Sequence, residues 1–300
     1  MHCAKAVTWL VACGLWLVGC AATGYEPQAT GQFSGTSALE YTRKAVSFGP
    51  RSAGSEALGR LRAYIHSELK LSGCQVIRDP FTARTPLGPV AMENIIARIP
   101  GTSGRAVAVT GHYDTKSMPG ISFVGANDGG ASAGFLLELA RVVAGRPRKN
   151  EVLVVWFDGE EAFGEWSETD GIYGSRHLAA RWAADGTLAR LKALINVDMI
   201  GDKDLGILQE MNSSAPLRAL VWQTAAQLGL GRHFLGWQAA VEDDHVPFLR
   251  RGVNAVNLID FDYGPANSWW HTERDTMDKL SPASLEAAGR VVLEVLRKLD

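Results

Sequence analysis

The residues in this chain with the means to do chemistry together are carboxylates and imidazoles. They are His112 and Asp114 in Gly111-His112-Tyr113-Asp114, Asp128 in Asn127-Asp128-Gly129-Gly130, the adjacent pair Glu160-Glu161, Asp198, and His271 in Trp269-Trp270-His271-Thr272. Carboxylates with imidazoles and no thiolate suit a catalytic zinc site with an open coordination position, unlike a closed structural one. Side chains of adjacent residues diverge, so one of the two glutamates can hold a metal while the other stays free to carry a proton. Each residue alone has a plainer reading. A lone Glu-Glu is most simply a solvated acidic turn, and a single Asp or His most simply a structural group.

What gives the set its weight is where it falls. Val152-Leu153-Val154-Val155-Trp156-Phe157 is a continuous apolar run, the pattern of a strand buried on both faces of a mostly parallel sheet, and it stops at Asp158-Gly159-Glu160-Glu161. Residues 106–110 form a second such strand, ending at His112 and Asp114, and residues 194–198 a third, ending in Asp198. In open α/β sheets ligands bind beyond the carboxyl ends of the strands. Between these strands lie helical patterns over 38–48, 54–72, 133–144, 175–184, 216–228, 245–250 and 285–299. Further strands are expected over 75–77, 93–99 and 255–259, with a turn-rich break at 85–89. Strands alternating with helices make an α/β sandwich with a mostly parallel sheet, in one domain over 38–300.

Composition narrows the partners. A formal net charge of −2 gives no sign of a nucleic-acid partner, and 46% hydrophobic residues are ample for a core. The N-terminus reads as an address: Lys5, then an apolar run over 6–18 too short to span a bilayer, then Leu17-Val18-Gly19-Cys20. That ending resembles the lipobox of bacterial lipoproteins, which implies removal of residues 1–20 and a lipid on Cys20; an ordinary signal peptide cut near Ala21 or Ala22 is the alternative. Residues 21–37, rich in Gly, Thr, Ser and Gln, read as a flexible tether. Cys74 is then the only cysteine of the mature domain, so no disulfide forms within it, and it reads as a small buried hydrophobe. The expected protein is exported to the cell envelope and monomeric.

Taken in order, His-x-Asp, Asn-Asp-Gly-Gly-Ala-Ser, Asp-Gly-Glu-Glu, Val-Asp-Met-Ile-Gly and Trp-His-Thr resemble the M28 family of zinc peptidases. More narrowly, Phe157 to Phe163, Trp166-Ser167, Tyr173 to Leu178, and Asp243-Asp244-His245-Val246-Pro247-Phe248-Leu249-Arg250-Arg251-Gly252 resemble the glutaminyl-peptide cyclotransferases, or glutaminyl cyclases, which share that fold. The resemblance implies a three-layer α/β sandwich around a mixed sheet. It implies zinc held by Asp128, Glu161 and His271, Glu160 as general acid and base, and Asp198 and Asp243 as a hydrogen-bonding network beside it. Trp166 and Trp270 would line a substrate pocket. By the peptidase pattern, His112 and Asp198 would hold a second metal, with Asp128 bridging and Asp114 orienting His112. Glu242 stands where many cyclases have Gln, and Gly111 where animal cyclases have Cys.

Two activities are therefore expected from one set of parts. In a cyclase, the uncharged α-amine of an N-terminal glutamine attacks its own γ-carbonyl, Glu160 moves the proton and ammonia leaves. In an aminopeptidase, Glu160 activates water and the amine serves as an anchor. The tryptophans and the Asp243 segment favour cyclisation of peptide N-termini. An Asp198–Asp243 pair at close range would share a proton. His66, His177, His233 and His245 read as capping, packing or surface groups, and Arg250-Arg251 as a charge pair at a helix end.

Overall fold

The computed structural model describes residues 1–2 and 31–300. The leader beyond residue 2, Cys20 and most of the tether lie outside the described residues. The tether expected to run to residue 37 ends sooner: Phe33 and Ser34 are buried, and Ser34 caps the first helix through a bond to the Ser37 N–H.

The elements follow as α1 (Gly35–Val46), α2 (Glu56–Leu71), β1 (Gln75–Thr85), β2 (Gly88–Ile99), β3 (Ala106–His112), α3 (Gly130–Ala144), β4 (Glu151–Phe157), α4 (Tyr173–Ala184), α5 (Thr187–Arg190), β5 (Leu191–Asp198), β6 (Ile207–Glu210), α6 (Ala215–Gln227), β7 (Phe234–Ala239), α7 (Val246–Leu249), β8 (Ala255–Ile259) and α8 (Pro282–Leu299). A six-stranded sheet runs β1-β2-β4-β3-β5-β8. The pairs β4/β3, β3/β5 and β5/β8 are parallel, and the β1–β2 hairpin is added antiparallel at one edge. The expected mixed, mostly parallel sheet is present. The strand expected over 75–77 is one end of an eleven-residue strand, whose exposed outer half lacks a hydrophobic signature. The break at 85–89 is its hairpin turn, where Thr85 pairs with Gly88.

The apolar run of β4 shows why the sheet has three layers. Side chains alternate sides along a strand. Val152, Val154 and Trp156 enter the larger core with α1, α2, α3, α6 and α8. Leu153, Val155 and Phe157 enter a second core with Leu178 and Trp182 of α4 and Phe248 of α7. A strand buried on both faces must be apolar at every position, and this one is. At about 2 kcal/mol per fully buried large side chain, those six residues alone are worth on the order of 10 kcal/mol before conformational entropy is counted.

Topology puts the chemistry at the carboxyl ends of the central strands. From β3 the chain passes to β4 on one side of it, then to β5 on the other. That reversal opens a crevice at the carboxyl end of β3, the switch point where α/β sheets bind ligands.

Candidate active site

His112 ends β3, Glu160 and Glu161 follow β4, and Asp198 ends β5. The remaining residues arrive on loops: Asp128 just before α3, Asp243 before α7, and His271 between β8 and α8. The structure brings them together. His271 Nε2 lies 3.2 Å from Asp128 Oδ2 and 3.2 Å from Glu161 Oε1. His112 Nε2 lies 3.3 Å from Asp128 Oδ1 and 3.2 Å from Asp198 Oδ1. Asp128 thus stands between two clusters, Asp128–Glu161–His271 and His112–Asp128–Asp198, each compact enough to hold an ion.

The donor geometry fits a metal. Ligands spaced 3.2 Å apart match the edge of a tetrahedron with bonds of about 2.0 Å, the zinc–nitrogen and zinc–oxygen distance. Asp128 Oδ2 is buried with no hydrogen-bond donor of its own. Charge points the same way. Burial and the Asp128 charge push Glu161 up, and burial, with Asp243 and Asp128 adding to it, lifts Asp198 to about 7. Burial would also raise Asp128, but His112 and His271 hold it well below the ordinary carboxylate range. A divalent cation would relieve such crowding of carboxylates.

Glu160 is set apart from both clusters. Its Oε2 is 3.9 Å from His112 Nδ1, and its carboxyl is pushed well up, first by burial and then by Glu161, Asp243 and Asp244, with His112 opposing. The Glu160-Glu161 turn is fixed by Asp114, whose two carboxylate oxygens accept the Glu160 N–H at 3.1 Å and the Glu161 N–H at 3.3 Å. Asp114 was expected to orient His112. It does lie 3.6 Å from His112 Nδ1, but its hydrogen bonds go to the glutamate turn. Gly129 opens α3 at φ 76° with its Cα against the Asp114 carbonyl and the His112 ring, so any Cβ there would collide.

Asp198 and Asp243 each have further partners. Asp198 bonds His112, while Asp243 accepts from Asn196 Nδ2 at 3.1 Å and Asn257 Nδ2 at 2.6 Å. The two amides each donate to one Asp243 oxygen, and the Asp243 charge helps to raise Asp198. Asp244 is fully buried with neither oxygen hydrogen-bonded, and burial plus Asp243 push it well up.

Trp270 stacks on His271, with centroids 4.0 Å apart and planes at 22°, and meets Phe261 edge-on. Trp166 is 40% exposed on the loop that leaves Glu161, its ring lying on Gly171. His271 itself sits at φ 53°, after Ala266 and Asn267 at φ 53° and 58°. Left-handed backbone at non-glycine residues costs on the order of 1 kcal/mol each and persists only where surroundings impose it. Here those include Trp270 and, edge-on at 5.7 Å, Phe123.

Several supporting residues carry no sequence signal. Asp275 accepts the N–H groups of Asn127 and Asp128 and the Tyr263 hydroxyl, at 2.8, 3.1 and 2.7 Å. Arg51 is fully buried and donates to the carbonyls of Gly49, Val124 and Gly125. His245 packs at a helix start as expected, buried at the N-cap of α7, where it also meets Glu210 at 2.9 Å. Arg250 and Arg251 do stand at a helix end, Arg250 being the C-cap of α7, and Arg250 pairs with Glu242 at 2.8 Å. Cys74 is half-buried and free, its thiol pushed up to about 11 by burial.

Comparison with known proteins agrees with this geometry. Residues 94–296 match the family described as peptidase family M28. A glutaminyl-peptide cyclotransferase of Drosophila melanogaster is 31% identical, over 81% of this chain and 75% of its own length. The crystal structure of an Acidobacteriales bacterium glutaminyl cyclase is 39% identical with a TM-score of 0.87, covering 93% of this chain and 99% of that one. A Zn-dependent exopeptidase from Parabacteroides distasonis is 27% identical with a TM-score of 0.80, covering 89% of this chain and 99% of that one.

Proposed function

The chain belongs to peptidase family M28 and to its glutaminyl-peptide cyclotransferase branch, and from that we propose how its own residues act. The reaction is conversion of an N-terminal glutamine to pyroglutamate: the α-amine nitrogen bonds to the γ-carbon, the bond from that carbon to the side-chain nitrogen breaks, and ammonia leaves. The observation that carries this reading is the separation of the two glutamates. Glu161 faces His271 and Asp128, while Glu160 is buried beside them and outside that donor set.

Asp128, Glu161 and His271 would hold zinc, which when bound supplies Lewis-acid polarisation of the γ-carbonyl. Glu160 takes the proton from the α-amine and returns it to the departing ammonia. Its burial among carboxylates raises its proton affinity, which suits a group that must both accept and donate. Asp198 and Asp243 present carboxyl oxygens to the entering amine, Asp243 being held by Asn196 and Asn257. Trp270 and Trp166 give the small ring flat apolar walls and keep water from the reacting carbon.

A second reading has an observation of its own. His112, Asp128 and Asp198 also converge, so a second metal could sit there, and the exopeptidase likeness suits hydrolysis by that arrangement. The test is ammonia release from a glutaminyl peptide by the zinc-loaded protein. Glu160→Gln should lower kcat by roughly 10²–10⁴-fold with zinc content unchanged. Amino acid release from a leucyl peptide, with no ammonia from the glutaminyl one, would favour the second reading.

We also propose export and anchoring through a lipid on Cys20. The apolar run and the lipobox-like ending support it. Among the described residues no helix is long and apolar enough to cross a membrane. Cys20→Ser should move the protein from the membrane fraction to the soluble one; an unchanged distribution would rule the anchor out.

A further inference from the structure

The apolar wall of the site continues past Trp270. Phe261 packs on Trp270, and Ala239 and Val241 join the same apolar cluster. Phe261 follows Asp260, whose carboxylate accepts the Gly206 N–H at 2.7 Å. Leu235 lies on that glycine, its Cδ1 2.8 Å from where a Cβ would stand. From Leu235 the surface reaches Trp237 and Met211. These three are 38%, 50% and 46% exposed, and the Met211 N–H bonds the Ala239 carbonyl at 2.9 Å. No residue from Phe234 to Val241 is charged.

The backbone here is also open in part, Trp222 Nε1 donating to the Leu235 carbonyl at 2.8 Å. β7 pairs with β6 in a two-stranded sheet, so among the described residues its other edge has no neighbouring strand. An uncharged, apolar, unpaired edge is a hazard unless something is meant to lie on it. An extended peptide adding to a sheet edge takes affinity from main-chain hydrogen bonds and specificity from alternate side chains.

We infer that the outer edge of β7, with Leu235, Trp237 and Met211, docks the substrate chain downstream of its cyclising residue and prefers an apolar or aromatic side chain there. This rests on the cyclase reading. Continuity with the Trp270 wall names the occupant: a peptide whose N-terminus is in the site must leave along some surface, and this one begins at Phe261 and Val241. Reach sets the position. Trp237 precedes Asp243 by six residues, so at about 3.3 Å per residue they are at most ~20 Å apart. An extended substrate covers that span within about six residues of its N-terminus.

The experiment compares three substrates with the zinc-loaded protein: a glutaminyl-glycine dipeptide amide, a glutaminyl hexapeptide with Leu or Phe at its fourth to sixth positions, and a matched hexapeptide with Ser and Gly there. Wild-type protein should favour the apolar hexapeptide over the Ser/Gly one by roughly fivefold or more in kcat/KM. Trp237→Ala should abolish that preference through KM with kcat kept, and Trp237→Phe should retain most of it. Turnover of the dipeptide amide should stay within about twofold, since loss of contacts remote from the reacting atoms removes binding common to ground and transition states. Equal use of the two hexapeptides by wild-type protein would overturn the inference, as would equal loss on dipeptide and hexapeptide. So would a Trp237→Ala protein with the preference intact and an altered mass by light scattering, which would give the patch to a second copy of the chain. Equilibrium binding of the hexapeptides to the Glu160→Gln protein should show the same preference without turnover, so a failure of the cyclase chemistry is read separately.

Discussion

Glu160 and Glu161 adjoin in the chain and differ in company: Glu161 meets His271 at 3.2 Å, while Glu160 lies beside the flank of His112 at 3.9 Å. The Asp114 carboxylate imposes the difference by taking both of their N–H groups. A second buried acid, Glu210, has a measurable signature away from the metal ligands. Burial pushes it up, but hydrogen bonds from His245, Asn212, Ser213 and Val241 hold it down to about 2. A carboxylate with a depressed folded pKa stabilises the fold above its unfolded value, near 4.5, and loses that stability as pH falls through the folded one. Thermal midpoints between pH 5 and pH 2, on the order of that window, should fall more steeply for the wild type than for Glu210→Gln. Parallel slopes would show that Glu210 is not held ionised.

At the scale of elements, the ends of β3, β4 and β5 supply the rigid part of the site and two loops supply the rest. Asp275 anchors the Asn127-Asp128 loop, and Trp270 with Phe123 braces the strained His271. Asp275→Ala should weaken zinc binding by roughly 10- to 100-fold, as loss of a group supporting a ligand does, while leaving the β-sheet circular dichroism unchanged. Unaltered zinc affinity in a competition titration would deny Asp275 that role. These scales also separate what could be read from the sequence and what could not. The valine run and the polar residues at strand ends were legible because burial on both faces demands apolar residues at every position, so the point where they stop is conspicuous. β6 and β7 were not legible: β6 is four residues long and β7 is mostly exposed, so neither alternates cleanly. Asp275 and Arg51 act through backbone groups of loops distant in sequence, and no periodicity marks such contacts. The Asn196 and Asn257 amides that hold Asp243 were not legible either, because on their strands they look like isolated polar residues.

At the scale of the molecule, the fold places the carboxyl ends of its central strands under a set of loops and gathers there a donor set that fits a metal, a carboxyl group set apart from it and an apolar cluster. The same parts could serve water or an amine as nucleophile, and the oxygen balance of the product distinguishes the two. Ring closure breaks a carbon–nitrogen bond and takes no atom from solvent; hydrolysis puts one water oxygen into a new carboxylate. The most direct measurement is therefore mass spectrometry of a glutaminyl peptide turned over by the zinc-loaded protein in heavy-oxygen water. Cyclisation predicts a product lighter than the substrate by one ammonia and carrying no heavy oxygen. A product that has gained a heavy oxygen, or release of the N-terminal amino acid with the label in its carboxylate, would contradict it.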